Sequence, residues 1–95
     1  MDFLWKINFI CRLHYYEFNN THSMVFDEAS GQTHRVNQLC LDALRALHEY
    51  PLSLQLLAET LARRNDFSLD EDWVEYINDM LTDLDQLGLI ESVIP

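Results

Sequence analysis

The stretch Val25–Leu47, VFDEASGQTHRVNQLCLDALRAL, decides the fold of this 95-residue chain. It reads as strand, turn, strand and helix with almost no slack between them. Met24, Val25 and Phe26 are apolar and strand-prone, which makes Ser23–Asp27 a strand. Asp27–Gly31 is a turn: Asp, Ser and Gly each favour tight turns, and Gly31 is free to take positive φ. Thr33–Val36 resumes the strand, with Gln32 at its start, and a connection of this length containing Gly suits a hairpin. Asn37 then offers a side-chain oxygen to the open N–H groups of a helix. From Leu39 the apolar residues recur at helical spacing: Cys40, Ala43, Leu44 and Leu47. A hairpin that feeds directly into an apolar helix implies that sheet and helix cover each other.

Working outward, Leu4–Phe9 alternates, with Leu4, Lys6 and Asn8 opposing Trp5, Ile7 and Phe9. Leu13–Phe18 is rich in Tyr and Phe and reads as a second strand. Asn19-Asn20-Thr21 is a turn, since Asn tolerates the left-handed region. These segments predict an antiparallel meander of three or four short strands. Downstream, the first helix spans about Gln38–Glu49 and stops before Pro51, which disfavours helix at Tyr50. Ser53 caps a second helix whose Leu54, Leu57, Ala58 and Leu61 form one apolar face. Asn65-Asp66-Phe67 breaks it. Ser68 and Glu71 form an S-x-x-E capping box for a third helix running to Leu87, with Gly88 at the position after the cap. Leu89–Ile94 is a closing strand or an extended tail. The order describes one α+β domain over residues 1–95, a winged-helix-like packing of a meander followed by three α-helices.

A chain that is 48% hydrophobic and 12% aromatic can bury a core, despite a net charge of −10. Phe3–Leu13 is too short and too polar for a membrane span and lacks a small-residue cleavage site, so the expected location is the cytoplasm, with no membrane partner. Cys11 and Cys40 have no C-x-x-C spacing and read as reduced, buried thiols. All six Lys and Arg residues occur by Arg64, and the remainder carries nine acids and no bases. Nucleic-acid affinity rests largely on neutralising phosphate, so no nucleic-acid partner is expected; basic partners suit this charge better.

Sequence patterns for chemistry are absent: no P-loop, no G-x-G-x-x-G, no G-x-S-x-G, no H-E-x-x-H. Cys11 and His14 lie three apart, which on a strand sends them to opposite faces. His14, His22, His34 and His48 have no metal-ligand spacing. Asp27 and Glu28 sit in a turn, where Asp commonly bonds its own backbone. The expectation is a protein that is not an enzyme, with no catalytic residues, no metal and no cofactor.

The third helix is more informative. Val74, Ile77, Leu81 and Leu84 make a core stripe, and Trp73, Tyr76, Met80 and Leu87 make a second one beside it. The combined face is wider than packing on one neighbour needs. Either the sheet and the second helix share it, or it forms one edge of a groove for peptide side chains. Glu71–Glu75, Glu75–Asp79 and Asp79–Asp83 are like charges at i, i+4, each destabilising by about 0.2–0.5 kcal/mol. Asp83 and Asp85 stand toward the unfavourable end of the helix dipole. A complete absence of bases there is better explained by a basic partner, with a plain solvated face as the alternative.

Five fragments taken in order carry a resemblance. They are W-x-x-x-x-x-C-R-L-H at Trp5–His14, V-F-D-x-x-S-G-x-T-H at Val25–His34, A-L-R-A-L at Ala43–Leu47, P-L-S at Pro51–Ser53 and L-G-L-I-E at Leu87–Glu91. Together the chain resembles the PqqD-like peptide chaperones, most nearly the branch associated with HPr-kinase-related proteins, the HPr-rel-A system. The resemblance spans nearly the whole chain. It implies a winged-helix-like recognition element of ribosomally made, modified peptides, in which a leader peptide adds as a strand that pairs with the third strand and lies against the third helix. Carried onto this sequence, the expected peptide-binding residues are Gln32, Thr33, His34, Arg35 and Val36 on the strand. On the helix they are Asp72, Trp73, Tyr76, Asp79, Met80 and Asp83, whose acids favour basic residues in the peptide. The implied partners are a peptide and a modifying enzyme or HPr-kinase-related protein. The alternative is a winged-helix transcriptional regulator that reads DNA through the second helix with Arg63 and Arg64, which the acidity opposes.

Overall fold

The computed structural model describes residues 3–18 and 23–94. The turn expected at Asn19-Asn20-Thr21 lies outside the described residues, as does His22. Eight elements follow in order: β1 (Leu4–Ile7), β2 (Leu13–Glu17), β3 (Ser23–Asp27), β4 (Gln32–Val36), α1 (Gln38–Glu49), α2 (Leu54–Asn65), α3 (Glu71–Gln86) and β5 (Ile90–Val93). The described residues form an α+β fold with four strands, three helices and a closing strand.

The strands form two sheets. β2, β3 and β4 are an antiparallel meander in that order, with Val25 opposite both Tyr15 and His34. β1 stands outside the meander and pairs antiparallel with β5, setting Trp5 against Ser92 and Ile7 against Ile90. The reason lies in burial. Trp5 is buried, and so are Leu89 and Ile90, so pairing these two short segments hides both apolar faces at once. The other edge of β1 exchanges two hydrogen bonds with Leu52, at 2.8 and 3.0 Å, which fastens the α1–α2 connection to the same strand.

The β3–β4–α1 stretch forms as its residues dictate. Asp27 Oδ1 accepts from Ala29 N at 3.1 Å and from Arg12 N at 2.9 Å, closing the turn onto the segment before β2. Gly31 takes φ +76°, and its N–H donates to Asp27 O at 2.7 Å. Asn37 Oδ1 accepts from Cys40 N at 2.8 Å and starts α1 with no intervening loop. Leu41, Ala43 and Leu44 of α1 are fully buried, and α1 packs on β1, β3 and α2. Tyr50 is extended ahead of Pro51, as the proline requires.

α2 starts on the Ser53 cap and ends at Asp66, a non-glycine residue in the left-handed region at φ 59°. The N–H groups of Asp66 and Phe67 both donate to Ala62 O, the bonding of a left-handed helix stop. The start of α3 differs from the sequence expectation. Asp70, not Ser68, is the cap, accepting from Trp73 N at 2.8 Å. An ionised carboxylate is the stronger acceptor and also meets the positive end of the helix dipole. Residues 66–70 therefore form a loop, and Leu69 is exposed. The other end follows expectation, with Leu87 at the cap and Gly88 at φ +79°. No helix among the described residues is long and apolar enough to cross a membrane.

Candidate functional site

α3 has one buried stripe and two flanks. Ile77, Leu81 and Leu84 are buried and hold the helix on the core. One flank carries Trp73, Tyr76, Met80 and Leu87, and the structure divides it between two neighbours. Trp73 turns to α2: its Nε1 donates to Ala58 O at 2.9 Å, and its ring lies 5.0 Å from that of Phe67 and 6.1 Å from that of Tyr76. Met80 and Leu87 instead face the sheet side. With Asp83 and Leu84 they form one wall of a cleft of about 220 Å³, whose other wall is Arg35, Val36, Asn37 and Cys40.

The strand side of this cleft ends at an open edge. β4 pairs with β3 along one edge, and among the described residues no strand pairs with the other. Such an edge presents backbone donors and acceptors that another strand can use. Gln32, Thr33 and Arg35 are exposed, His34 is half-buried and Val36 is buried, so the strand points its outer side chains to solvent and closes the core with its last residue.

Of the eleven residues singled out in the sequence, Arg35, Val36, Met80 and Asp83 come together in the cleft. Gln32, Thr33 and His34 continue along the same strand away from it. Asp72, Trp73, Tyr76 and Asp79 occupy the earlier turns of α3, outside the cleft lining. Sequence reasoning did not count Asn37 and Cys40 as lining, because it assigned both to starting α1. The hairpin-to-helix junction without slack is the feature that would have found them, since it brings the first turn of α1 beside the end of β4.

Both cysteine thiols are shifted upward. Burial, and then the Asp83 carboxylate, push the Cys40 thiol up to about 12. Burial, and then the carboxylates of Asp27 and Glu91, push the Cys11 thiol up to about 11, so neither sulfur is a thiolate near neutral pH. Cys11 Sγ donates to Gly88 O at 3.3 Å, whereas His14 Nε2 lies 3.0 Å from Glu28 Oε2, so the two have separate partners. Arg35 and Asp83 line the same cleft, and no ion pair joins them among the described residues.

Set against known proteins, the chain matches no family model, no curated protein and no solved structure. A second groove, on the opposite flank of α3 against α2, is larger, at about 690 Å³. Sequence reasoning missed it, because periodicity counted Leu54 and Val74 as core. Both are only half-buried, and with exposed Leu69 they line this groove.

Proposed function

We propose that this domain is a non-catalytic peptide-binding module. It captures an extended segment of a leader or substrate peptide by strand addition to β4 and presents it to a modifying enzyme or HPr-kinase-related partner. The observation that carries this reading is the unpaired edge of β4 standing at the mouth of a cleft whose far wall is Met80, Asp83 and Leu87. Backbone bonds from the strand supply affinity that is indifferent to sequence, and the helix side chains supply selectivity. Asp83 in the wall, with Asp79 one turn earlier, favours Lys or Arg in the peptide, a preference that added salt weakens. The resemblance to PqqD-like chaperones points the same way.

A random-peptide selection on the full chain, followed by amide-shift mapping with the enriched peptides, tests the proposal. The expected result is enrichment of Lys- or Arg-bearing sequences, with shifts at Gln32–Val36 and Met80–Leu87. Met80→Ala should weaken binding about tenfold, as expected for loss of a buried apolar contact, with little change in thermal unfolding. Shifts centred on Arg63 and Arg64, or a sequence-specific submicromolar complex with duplex DNA, would replace this reading with that of a regulator.

A further inference from the structure

α2 and α3 form a helical hairpin joined by residues 66–70, and Trp73 bonds Ala58 O where the two helices meet. Beside that bond lies the 690 Å³ groove, lined by Leu54, Leu69 and Val74 and by the acids Asp70, Glu71 and Glu75. Leu69 is 45% exposed. The groove is open and shallow rather than enclosed, a shape that suits a docked surface and not an engulfed small molecule.

Two features define the occupant. The first is backbone chemistry. The groove is walled by α2, α3 and the end of the 66–70 loop, with no β-strand among its lining, so it offers an extended peptide no sheet edge to join. A segment that satisfies its own backbone is required, which means a helix laying an apolar face into the groove. The second is charge. Asp70 is committed to capping Trp73 N, and no salt bridge among the described residues reaches Glu71 or Glu75, which repel each other at i, i+4. From Asn65 onward the chain supplies no Lys or Arg of its own. We infer that this groove docks an amphipathic helix of a partner protein, with leucine-type side chains on one face flanked by Lys or Arg. The site is independent of the β4 cleft: it lies on the other flank of α3 and takes a helix where the cleft takes a strand.

The probe is a synthetic amphipathic peptide of about 15 residues, long enough for helix formation to be feasible. It carries Leu on one face and Lys at the flanking positions, and a counterpart carries Glu in place of Lys. Both are titrated into the full chain and followed by amide shifts. The cationic peptide should move Leu54, Leu69 and Val74 and leave Gln32–Val36 in place. Its affinity should fall with salt and drop about tenfold in E71K/E75K, because two attractive charges become repulsive. Leu69→Ala should weaken it about tenfold by loss of apolar burial. Both variants change exposed side chains, and a thermal melt checks that they remain folded. M80A should bind the probe as the parent does. Several results would overturn the inference: equal binding of both peptides, no loss in E71K/E75K, or no binding at millimolar probe. So would groove shifts that track protein concentration without probe, which would make a second copy the occupant. Shifts confined to Gln32–Val36 and Met80–Leu87 would reject this groove while leaving the β4 cleft as the peptide site.

Discussion

The two flanks of α3 are built from the same helix and differ in what stands opposite. Across from Met80, Asp83 and Leu87 is the end of a β-strand with an open edge. Across from Glu71, Val74 and Glu75 is another helix. The first pairing leaves unsatisfied backbone at the mouth of a small cleft. The second leaves helices and the end of the 66–70 loop, with no strand edge, around a groove about three times as large. On the two proposals above, one helix offers two partners different kinds of contact, and the difference lies in what stands opposite it rather than in the helix alone.

The stripe between the flanks is the most severe place to test this. Leu81 is fully buried and holds both walls in position. Leu81→Ala should cost about 2–5 kcal/mol and weaken both sites together. A denaturant titration showing a loss below about 1 kcal/mol would mean that α3 is not the shared wall described.

Asp27 tests the strand side alone. Arg12 N–H, above the opposing effect of burial, and then bonds from Ser30 and Ala29, hold its carboxyl below its ordinary value of 3.8. A depressed folded value adds stability that is fully present above the unfolded value and lost as pH falls through the folded one. Asp27→Ala should cost about 1–3 kcal/mol at neutral pH by orphaning those donors. The stability difference between parent and variant should shrink only below about pH 3.8. A difference already closing at pH 6 would assign the effect to another group.

Trp73 tests the helix side. Trp73→Phe keeps the aromatic contact with Phe67 and removes the bond to Ala58 O, at a cost of about 1 kcal/mol. Amide shifts should spread across Leu54 and Val74 and spare Arg35 and Val36. Changes at β4 would show that the two flanks are coupled. The smallest effect should be a gain. Glu75→Gln removes the Glu71–Glu75 and Glu75–Asp79 repulsions, worth roughly 0.2–0.5 kcal/mol each, and the gain should shrink as salt rises.

The sequence carried the local structure further than the pairing. Asn37, Ser53, Gly31, Tyr50 before Pro51 and Gly88 all act where their own chemistry places them, because caps and turns depend on residues a few positions apart. The pairing of β1 with β5 was not legible, since alternation in Leu4–Ile7 states which face is apolar and not which strand will cover it. The cap of α3 moved from Ser68 to Asp70 because two acceptors compete within three residues and the charged one wins. Trp73 was grouped with Met80 by helical spacing. Its indole N–H needs an acceptor, Ala58 O provides one, and the ring is drawn to α2.

The β1–β5 pair also has a bearing on motion. Phe9 N donates to Glu91 Oε2 across 82 positions of sequence, whereas the hairpins and the α2–α3 pair are local. Contacts of such separation carry the largest loop-closure entropy, and the prediction is that this pair opens ahead of the hairpins without global unfolding. β5 packs on α3, so each opening of this latch loosens the end of the helix that carries Leu87. Native-state hydrogen exchange should find the amides of Ile7 and Ile90 exchanging ahead of those of Val25 and Leu44, and a bound strand on β4 should slow the first pair as well as its own. The time a peptide stays in the cleft would then be governed by a clasp between two strands it never touches.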